Sequence, residues 1–375
     1  MSARFLTVVL ERAFNMRDGF GREIDYMRIS VIDSCNLNCY YCNPCDNNEH
    51  CHALNILSVK EVLCIVRAAT RLGIKHFRLT GGEPLLHPQL DEMVLQIKKI
   101  SGVSSVSLTT NAVLLAQHAK WLKEAGIDSI NVSLDTIDAS EYERITKKPL
   151  LEEVKHGINA AIECGIRVKI NVVLTPQTDV VALTRYVAKK GTDIRFIEMM
   201  PVGEGHTNGV EPYKKVIGTL SKLYGEPCRI NTEKTKEINS GNDKRKIPDN
   251  GPAEYYIFPE LGIRVGLIQA IHGKFCATCN RIRVTADGRL MPCLGSSVTM
   301  DLVPDSCEFT DDLEKDFVIV QALKAAIKAK PGCHNFNDNA VTYTKTTETK
   351  TVETKATELK AAEVNAARNM SRIGG

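Results

Sequence analysis

Little in this 375-residue chain is extreme, and each thing it lacks closes off a class of function. Its formal charge of +3 is too mild to hold nucleic acid or an anionic membrane surface. No stretch approaches the roughly 18 apolar residues of a membrane span. The N-terminus, MSARFLTVVLERAF, has one short apolar run and no small-residue cleavage site, so no signal peptide is expected. The expectation is a cytoplasmic protein with neither nucleic-acid nor membrane partners. In that reducing compartment thirteen cysteines point to metal or redox chemistry rather than a disulfide framework. Sequence leaves the oligomeric state open between monomer and homodimer.

What is present is an alternation. Short β-branched runs at residues 26–32, 76–80, 105–109, 129–134, 168–174 and 193–199 are separated by amphipathic helical segments such as SVKEVLCIVRAATRL. Six β-then-α repeats with near-continuous apolar strands predict a parallel sheet. Polar and glycine-rich residues follow several strands: Thr80-Gly81-Gly82-Glu83, Thr109-Thr110-Asn111 and Ser133-Leu134-Asp135. That is where barrel active sites are built, and six repeats fall short of eight, so one side should be open. The predicted fold is an incomplete, TIM-like (β/α)6 barrel over residues 1–204. Residues 205–340 read as loops and hairpins with further cysteines. Residues 341–375 read as a Thr/Lys/Glu linker, a short helix and a Gly-Gly tail.

Two cysteine sets stand out, and each lacks a fourth member. SCNLNCYYCNPC holds Cys35, Cys39 and Cys42 in C-x3-C-x2-C spacing directly after the first strand. Three close thiolates suit a [4Fe–4S] cluster with one iron left open. A zinc site drawing on Cys45, His50, Cys51 or His52 is the alternative, although zinc favours C-x2-C or Cys/His pairs. FCATCNRIRVTADGRLMPC holds Cys276, Cys279 and Cys293. Asp287-Gly288 predicts a two-residue hairpin that faces Val284 with Met291 and Ile282 with Cys293, bringing the three cysteines together. Arg281 and Arg283 share one strand face, as a solvated pair or as an anion site.

The first set with Gly-Gly-Glu-Pro after the second strand resembles the radical S-adenosylmethionine superfamily. GREIDYMRISVIDSCNLNCYYC, RLTGGEPLL, LTTN, NVSLDT, RFIEMMPVG, FCATCNRIRVTADGRLMPCL, KPGCH and the terminal IGG together resemble the GTP 3',8-cyclase family of molybdenum cofactor biosynthesis, over roughly residues 18 to 340 and the last six. The resemblance implies a partial barrel closed by a second cluster region, two [4Fe–4S] clusters and S-adenosylmethionine. It implies conversion of GTP to 3',8-cyclo-7,8-dihydro-GTP, in which a 5'-deoxyadenosyl radical takes the C3' hydrogen and the carbon radical attacks guanine C8. A reductant such as flavodoxin or ferredoxin and a downstream cyclic pyranopterin monophosphate synthase are the implied partners.

Carried over by position, Cys35, Cys39 and Cys42 would ligate the first cluster and Cys276, Cys279 and Cys293 the second. Tyr41, Gly82, Glu83, Ser133 and Met200 match S-adenosylmethionine contacts. Arg28, Arg78, Thr109, Lys169, Arg195, Arg281, Ile282 and Arg283 match GTP contacts. Arg281, Arg283, Gly374 and Gly375 match positions that support catalysis. Several positions depart from the family habit: His76 replaces a lysine, Asn43 a methionine, Ala112 a glycine and Gly295 a phenylalanine. The His76 change predicts a grip on triphosphate that is weaker, pH-sensitive or taken over by the adjacent Lys75. A peptide or haem-precursor maturase of the same superfamily is the runner-up, and a zinc-stabilised binding protein the non-enzyme alternative, separable by iron and sulfide content.

Overall fold

The computed structural model describes residues 16–42, 55–201, 209–230, 251–296, 299–302, 312–334 and 336. Six β/α repeats come first. The strands are β1 (Tyr26–Ser30), β2 (His76–Thr80), β3 (Ser105–Thr110), β4 (Ser129–Ser133), β5 (Val168–Val173) and β6 (Asp193–Ile197). Between them run α1 (Val59–Arg71), α2 (Leu90–Lys98), α3 (Leu115–Glu124), α4 (Ala139–Thr146), α5 (Leu151–Glu163) and α6 (Val180–Lys189). Then follow α7 (Gly218–Tyr224), β7 (Cys228–Ile230), β8 (Glu254–Ile257), β9 (Arg264–Ile268), β10 (Arg281–Val284), β11 (Arg289–Met291), β12 (Met300–Asp301) and α8 (Asp312–Lys328).

Helix α1 shows how locally the repeats are specified. Ser58 and Glu61 form a capping box, with Glu61 N–H donating to Ser58 Oγ at 3.3 Å and Ser58 N–H to Glu61 Oε2 at 2.8 Å. Val62, Ile65, Val66, Ala68 and Ala69 recur on one face and are buried, and so is Cys64, which makes that cysteine a core residue. Gly73, at φ +87°, lets the chain leave the helix in a left-handed turn. The same logic fills one continuous core in which Phe77 and Phe196 are wholly buried. Burial of each such ring contributes up to about 3 kcal/mol.

All the strands join one sheet, in the order β12-β11-β10-β1-β2-β3-β4-β5-β6-β9-β8-β7. Strand β10 lies parallel to β1 and β9 parallel to β6, so eight parallel strands form the wall and antiparallel strands continue it at either end. Among the described residues the two ends are not paired, and the barrel is incomplete as expected. The sequence boundary at residue 204/205 therefore falls within one sheet, because β9 and β10 flank the six-repeat strands on both sides. Four expected strands stop one or two residues early, at Ser30, Ser133, Val173 and Ile197. The hairpin-only reading of the second half missed α8, whose FVIVQAL core is a β-branched run with no clear period.

Candidate active site

The carboxyl ends of the parallel strands surround a cavity of about 2100 Å³, open solvent at its mouth included. All six cysteines of the two sets line it. The first set sits on a loop that several elements pin down. Asn38 N–H and Tyr40 N–H donate to the carbonyls of Thr146 and Ile145 at 3.0 and 3.1 Å, using acceptors at the end of α4. Tyr41 OH donates to Asp135 Oδ2 at 2.6 Å, and Asn111 Nδ2 donates to Asn36 Oδ1 at 2.7 Å. The Gly81-Gly82 pair is required by close approach: a Cβ on Gly82 would stand 2.2 Å from Ser34 O, and one on Gly81 2.4 Å from Ile32 O. Gly82 N–H and Glu83 N–H donate to those same strands of loop, at Ile32 O and Ser34 O, both 2.8 Å.

The second set is assembled by the hairpin of β10 and β11, with a register one residue different from that expected. Arg283 pairs with Met291 and Val284 with Leu290. Thr285 and Arg289 then close a three-residue loop, in which Gly288 takes φ +76°. The Asp-Gly signal located the turn but not its length. Continued, this register sets Cys293 opposite Arg281 rather than Ile282. Cys276 and Cys279 begin and end the short turn before β10, with Cys279 N–H donating to Cys276 O at 3.2 Å.

Between the two sets lies a row of arginines. Arg283 on β10, Arg28 on β1 and Arg78 on β2 are direct register neighbours, and all three face the cavity. Arg28 Nε, Arg281 Nε and Arg283 Nη1 are buried without a hydrogen-bond partner. Burial, then the charges of Arg283 and Arg78, pushes the Arg28 guanidinium well below its ordinary pKa. Burial and Arg281 push Arg283 down to about 10. Arg78 Nε donates to Tyr26 OH at 2.5 Å and its Nη1 reaches Thr109 Oγ1 at 3.4 Å. Burial alone would raise the Tyr26 phenol, but Arg78 and Arg28 outweigh it and lower it. A largely buried row of like charges with spare donors is a strong site for a polyanion.

Of the remaining residues singled out from sequence, Tyr41, Gly82, Ser133, Met200, Thr109 and Arg195 also line the cavity. Arg195 Nη2 donates to Asn131 Oδ1 at 2.5 Å. Lys169 shares a strand face with the cavity-lining Asn171 and Val173 but is buried one layer deeper, opposite Asn131 and Asp193. Ile282 turns its side chain away into the core, since it alternates with Arg281 and Arg283; only its backbone follows the wall. Glu83 lies behind the wall. It accepts from Leu85 N–H, Thr110 Oγ1 and Asn111 N–H at 3.0, 2.7 and 2.7 Å, and burial still raises it to about 7. Gly374 and Gly375, like Asn43, Cys45, His50, Cys51 and His52, lie outside the described residues.

The departures have local explanations. Ala112 takes φ +65°, the left-handed conformation that glycine adopts freely. At Gly295 a Cβ would meet Phe336 Cε1 at 2.8 Å, so the Phe336 ring, itself on the cavity wall, occupies the space beside that glycine. His76 Nδ1 bonds Ser105 Oγ at 2.8 Å, and burial lowers its pKa, so it adds no strong cation. Asn111 and Asp135, placed by sequence at the strand ends where a site is built, carry these roles without having been assigned one; Arg22 and Lys330 were passed over, although the quoted GREIDY and KPGCH segments contain them.

The donor sets fit iron–sulfur clusters. The ten described cysteines are all free thiols. Each set brings three free thiols to the cavity wall, the donor type that an iron–sulfur cluster takes. Burial raises Cys35 to about 12 and Cys42 to about 11, whereas Arg281 and Lys330 outweigh burial at Cys279 and lower it to about 7.

Comparison with known proteins agrees. Residues 29–182 match the radical SAM superfamily, and residues 192–336 the family described as Molybdenum Cofactor Synthesis C. The GTP 3',8-cyclase of Clostridium perfringens (strain SM101) is 35% identical over 324 residues, spanning 86% of this chain and 95% of that one. Those of Petrotoga mobilis and Peptoclostridium acidaminophilum are 35% and 37% identical, with 86% of this chain covered and 96% and 94% of theirs. Among solved structures, Streptococcus suis SuiB superposes with a TM-score of 0.53 at 15% identity, over 85% of this chain and 69% of its own, a likeness of fold alone. With both halves matched in order and nearly the full length of these relatives covered, the chain belongs to the GTP 3',8-cyclase family.

Proposed function

We propose that the cavity binds GTP beside S-adenosylmethionine and that the chain performs the cyclisation for which its relatives are named, the first committed step toward the molybdenum cofactor. The observation that carries this reading is the arginine row: three adjacent guanidiniums, with unused donors, between two cysteine sets on one cavity wall. Cys35, Cys39 and Cys42 would hold the first cluster and Cys276, Cys279 and Cys293 the second. When bound, the first cluster and S-adenosylmethionine supply the hydrogen-abstracting radical, and the protein supplies position.

Arg28, Arg78 and Arg283 neutralise the triphosphate, which carries close to four charges. Thr109, whose hydroxyl already meets Arg78, extends that polar wall. Arg281 and Arg283 stand on the strand that leaves Cys279, so a purine lying against the second cysteine set comes within their reach. Tyr41, Gly82, Ser133 and Met200 border the first set and form the S-adenosylmethionine side. Asp135 holds Tyr41 there. The two ligands are thus oriented toward each other in a space that the strand ends shield from water.

We further place the chain in the cytoplasm, with a flavodoxin or ferredoxin as electron donor and a cyclic pyranopterin monophosphate synthase as the consumer of its product. No helix among the described residues is long and apolar enough to cross a membrane. The test is isotope transfer. Anaerobically reconstituted protein with S-adenosylmethionine, dithionite and 3'-deuterated GTP is expected to place deuterium in 5'-deoxyadenosine. Cleavage without transfer would move the reading to a different radical substrate, and no cleavage by a protein carrying both clusters would overturn it.

A further inference from the structure

Lys330 follows α8 in the chain and is 2% exposed, an unusual place for a lysine. Its ammonium donates to Arg281 O at 2.8 Å and to Pro292 O at 2.9 Å. Arg281 stands two residues after Cys279, and Pro292 directly before Cys293. One buried charge therefore bridges the two backbone segments that carry the second and third cysteines of the set. It also interacts electrostatically with the Cys279 and Cys293 side chains. Two backbone carbonyls thus hold the ammonium in place.

The two residues after Lys330 complete the frame. Pro331 O and Gly332 O accept from the Arg22 guanidinium at 2.6 and 3.2 Å, and Arg22 also donates to Cys276 O at 2.7 Å. Arg22 is itself held by Asp18, at 2.5 Å from Nε to Oδ2, with both side chains buried. The segment Lys330–Gly332 thus ties together the backbone at all three cysteines: through its side chain to two, and through its carbonyls and Arg22 to the first. All of these contacts are made between protein atoms.

The geometry points to Lys330 as the positioning residue of the second cluster, fixing the Cys279 and Cys293 segments relative to each other and setting a buried positive charge against the cluster's sulfurs. That charge favours the more negative, reduced form of the cluster over the oxidised one. The assignment rests on the two-cluster reading above.

Two substitutions separate frame from charge. Lys330→Met removes both, and Lys330→Gln keeps two N–H donors for the carbonyls while removing the charge. After anaerobic reconstitution the unsubstituted chain is expected to hold about eight irons. If it holds no more than one cluster, the two-cluster reading fails, and the lysine assignment with it. Otherwise Lys330→Met is expected to lose about half the iron, with S-adenosylmethionine still perturbing the electron paramagnetic resonance signal of the first cluster. Lys330→Gln is expected to keep the iron, with the second cluster titrating at a more negative potential, read in a background where Cys35, Cys39 and Cys42 are alanine. Both variants matching the unsubstituted protein in iron content and potential would overturn the assignment. Equal loss from both clusters would also overturn it, since that marks general misfolding rather than selective positioning. Should Lys330→Met be insoluble, the potential of Lys330→Gln decides alone.

Discussion

Replacing Arg28 by methionine should make the GTP-free protein more stable and its nucleotide binding much worse. Arg28 stands between Arg283 and Arg78 in one register row; Arg78 and Arg283 are buried, and Arg28 is half-buried with its Nε enclosed. Neighbouring strands are about 5 Å apart. At an effective dielectric of about 20, like charges at that separation repel by roughly 3 kcal/mol. Arg28 has one such neighbour on each side, and its buried Nε has no partner to offset desolvation. The guanidiniums splay, which lowers the repulsion, and methionine keeps most of the stem's packing. The net gain should be about 2–4 kcal/mol, in the range seen when apolar residues replace buried charges. In a chain of this length that corresponds to a rise in Tm of a few degrees. The same change removes charge-assisted hydrogen bonds to the triphosphate, worth about 1.5–3 kcal/mol and so roughly 10- to 150-fold in Kd. Differential scanning fluorimetry with and without GTP reads both effects: a higher baseline Tm and a smaller nucleotide-induced shift. A lower baseline Tm with undiminished GTP affinity would refute the idea that this row is strained until an anion arrives.

Gly82→Ala should cost the first cluster its iron, about four atoms per chain, because the new Cβ meets Ser34 O at 2.2 Å and must push the cysteine loop aside; iron and sulfide assay after reconstitution checks it. Ala112→Gly should stabilise the fold by about 1 kcal/mol, since a left-handed alanine costs about 1–2 kcal/mol and glycine returns part of that in unfolded-state entropy; urea unfolding should show a higher midpoint at unchanged m. In cluster-free protein Cys279 should be alkylated ahead of Cys35 and Cys42. Burial raises all three, but Arg281 and Lys330 outweigh it at Cys279 and bring it to about 7, against about 12 and about 11 for the other two. The Cys279 thiolate therefore forms as pH rises through about 7, and peptide mapping of iodoacetamide adducts between pH 6 and 9 should show that midpoint.

How much of this was legible in the sequence depends on the range of the interaction concerned. The six repeats were readable because their strands are near-continuous apolar runs and their helices carry a clear face. The cysteine sets were readable as metal sites because close thiolates show in the spacing, and their cluster chemistry and the glycine pair because of the family resemblance that the motifs carry. The hairpin was found but misregistered: Asp287-Gly288 marks a turn equally well in a two- or three-residue loop, and one residue's slip exchanges Ile282 for Arg281 opposite Cys293. Lys169 and Ile282 could not be ranked from sequence, because depth along a strand and the face it shows are set by neighbours far away in the chain. Arg22 and Lys330 escaped for the same reason; their partners are 254 and 49 residues distant. Helix α8 was missed because local pattern and tertiary packing against α1 disagree, and packing won.

The pairing of β10 with β1 has a consequence for the order in which the chain is made. Tyr26 finds its outer neighbour only at Arg281, and β6 finds its outer neighbour only at β9. A ribosome adding about 5–20 residues per second takes roughly 10–50 s to cover that interval. In its later part, from Ile197 until β9 emerges, the six-stranded half presents two bare sheet edges, the ordinary starting points of misassembly. The second half thus acts first as an edge guard for the nascent molecule, and loading the first cysteine loop before β10 and β9 dock would commit iron to a half-built wall.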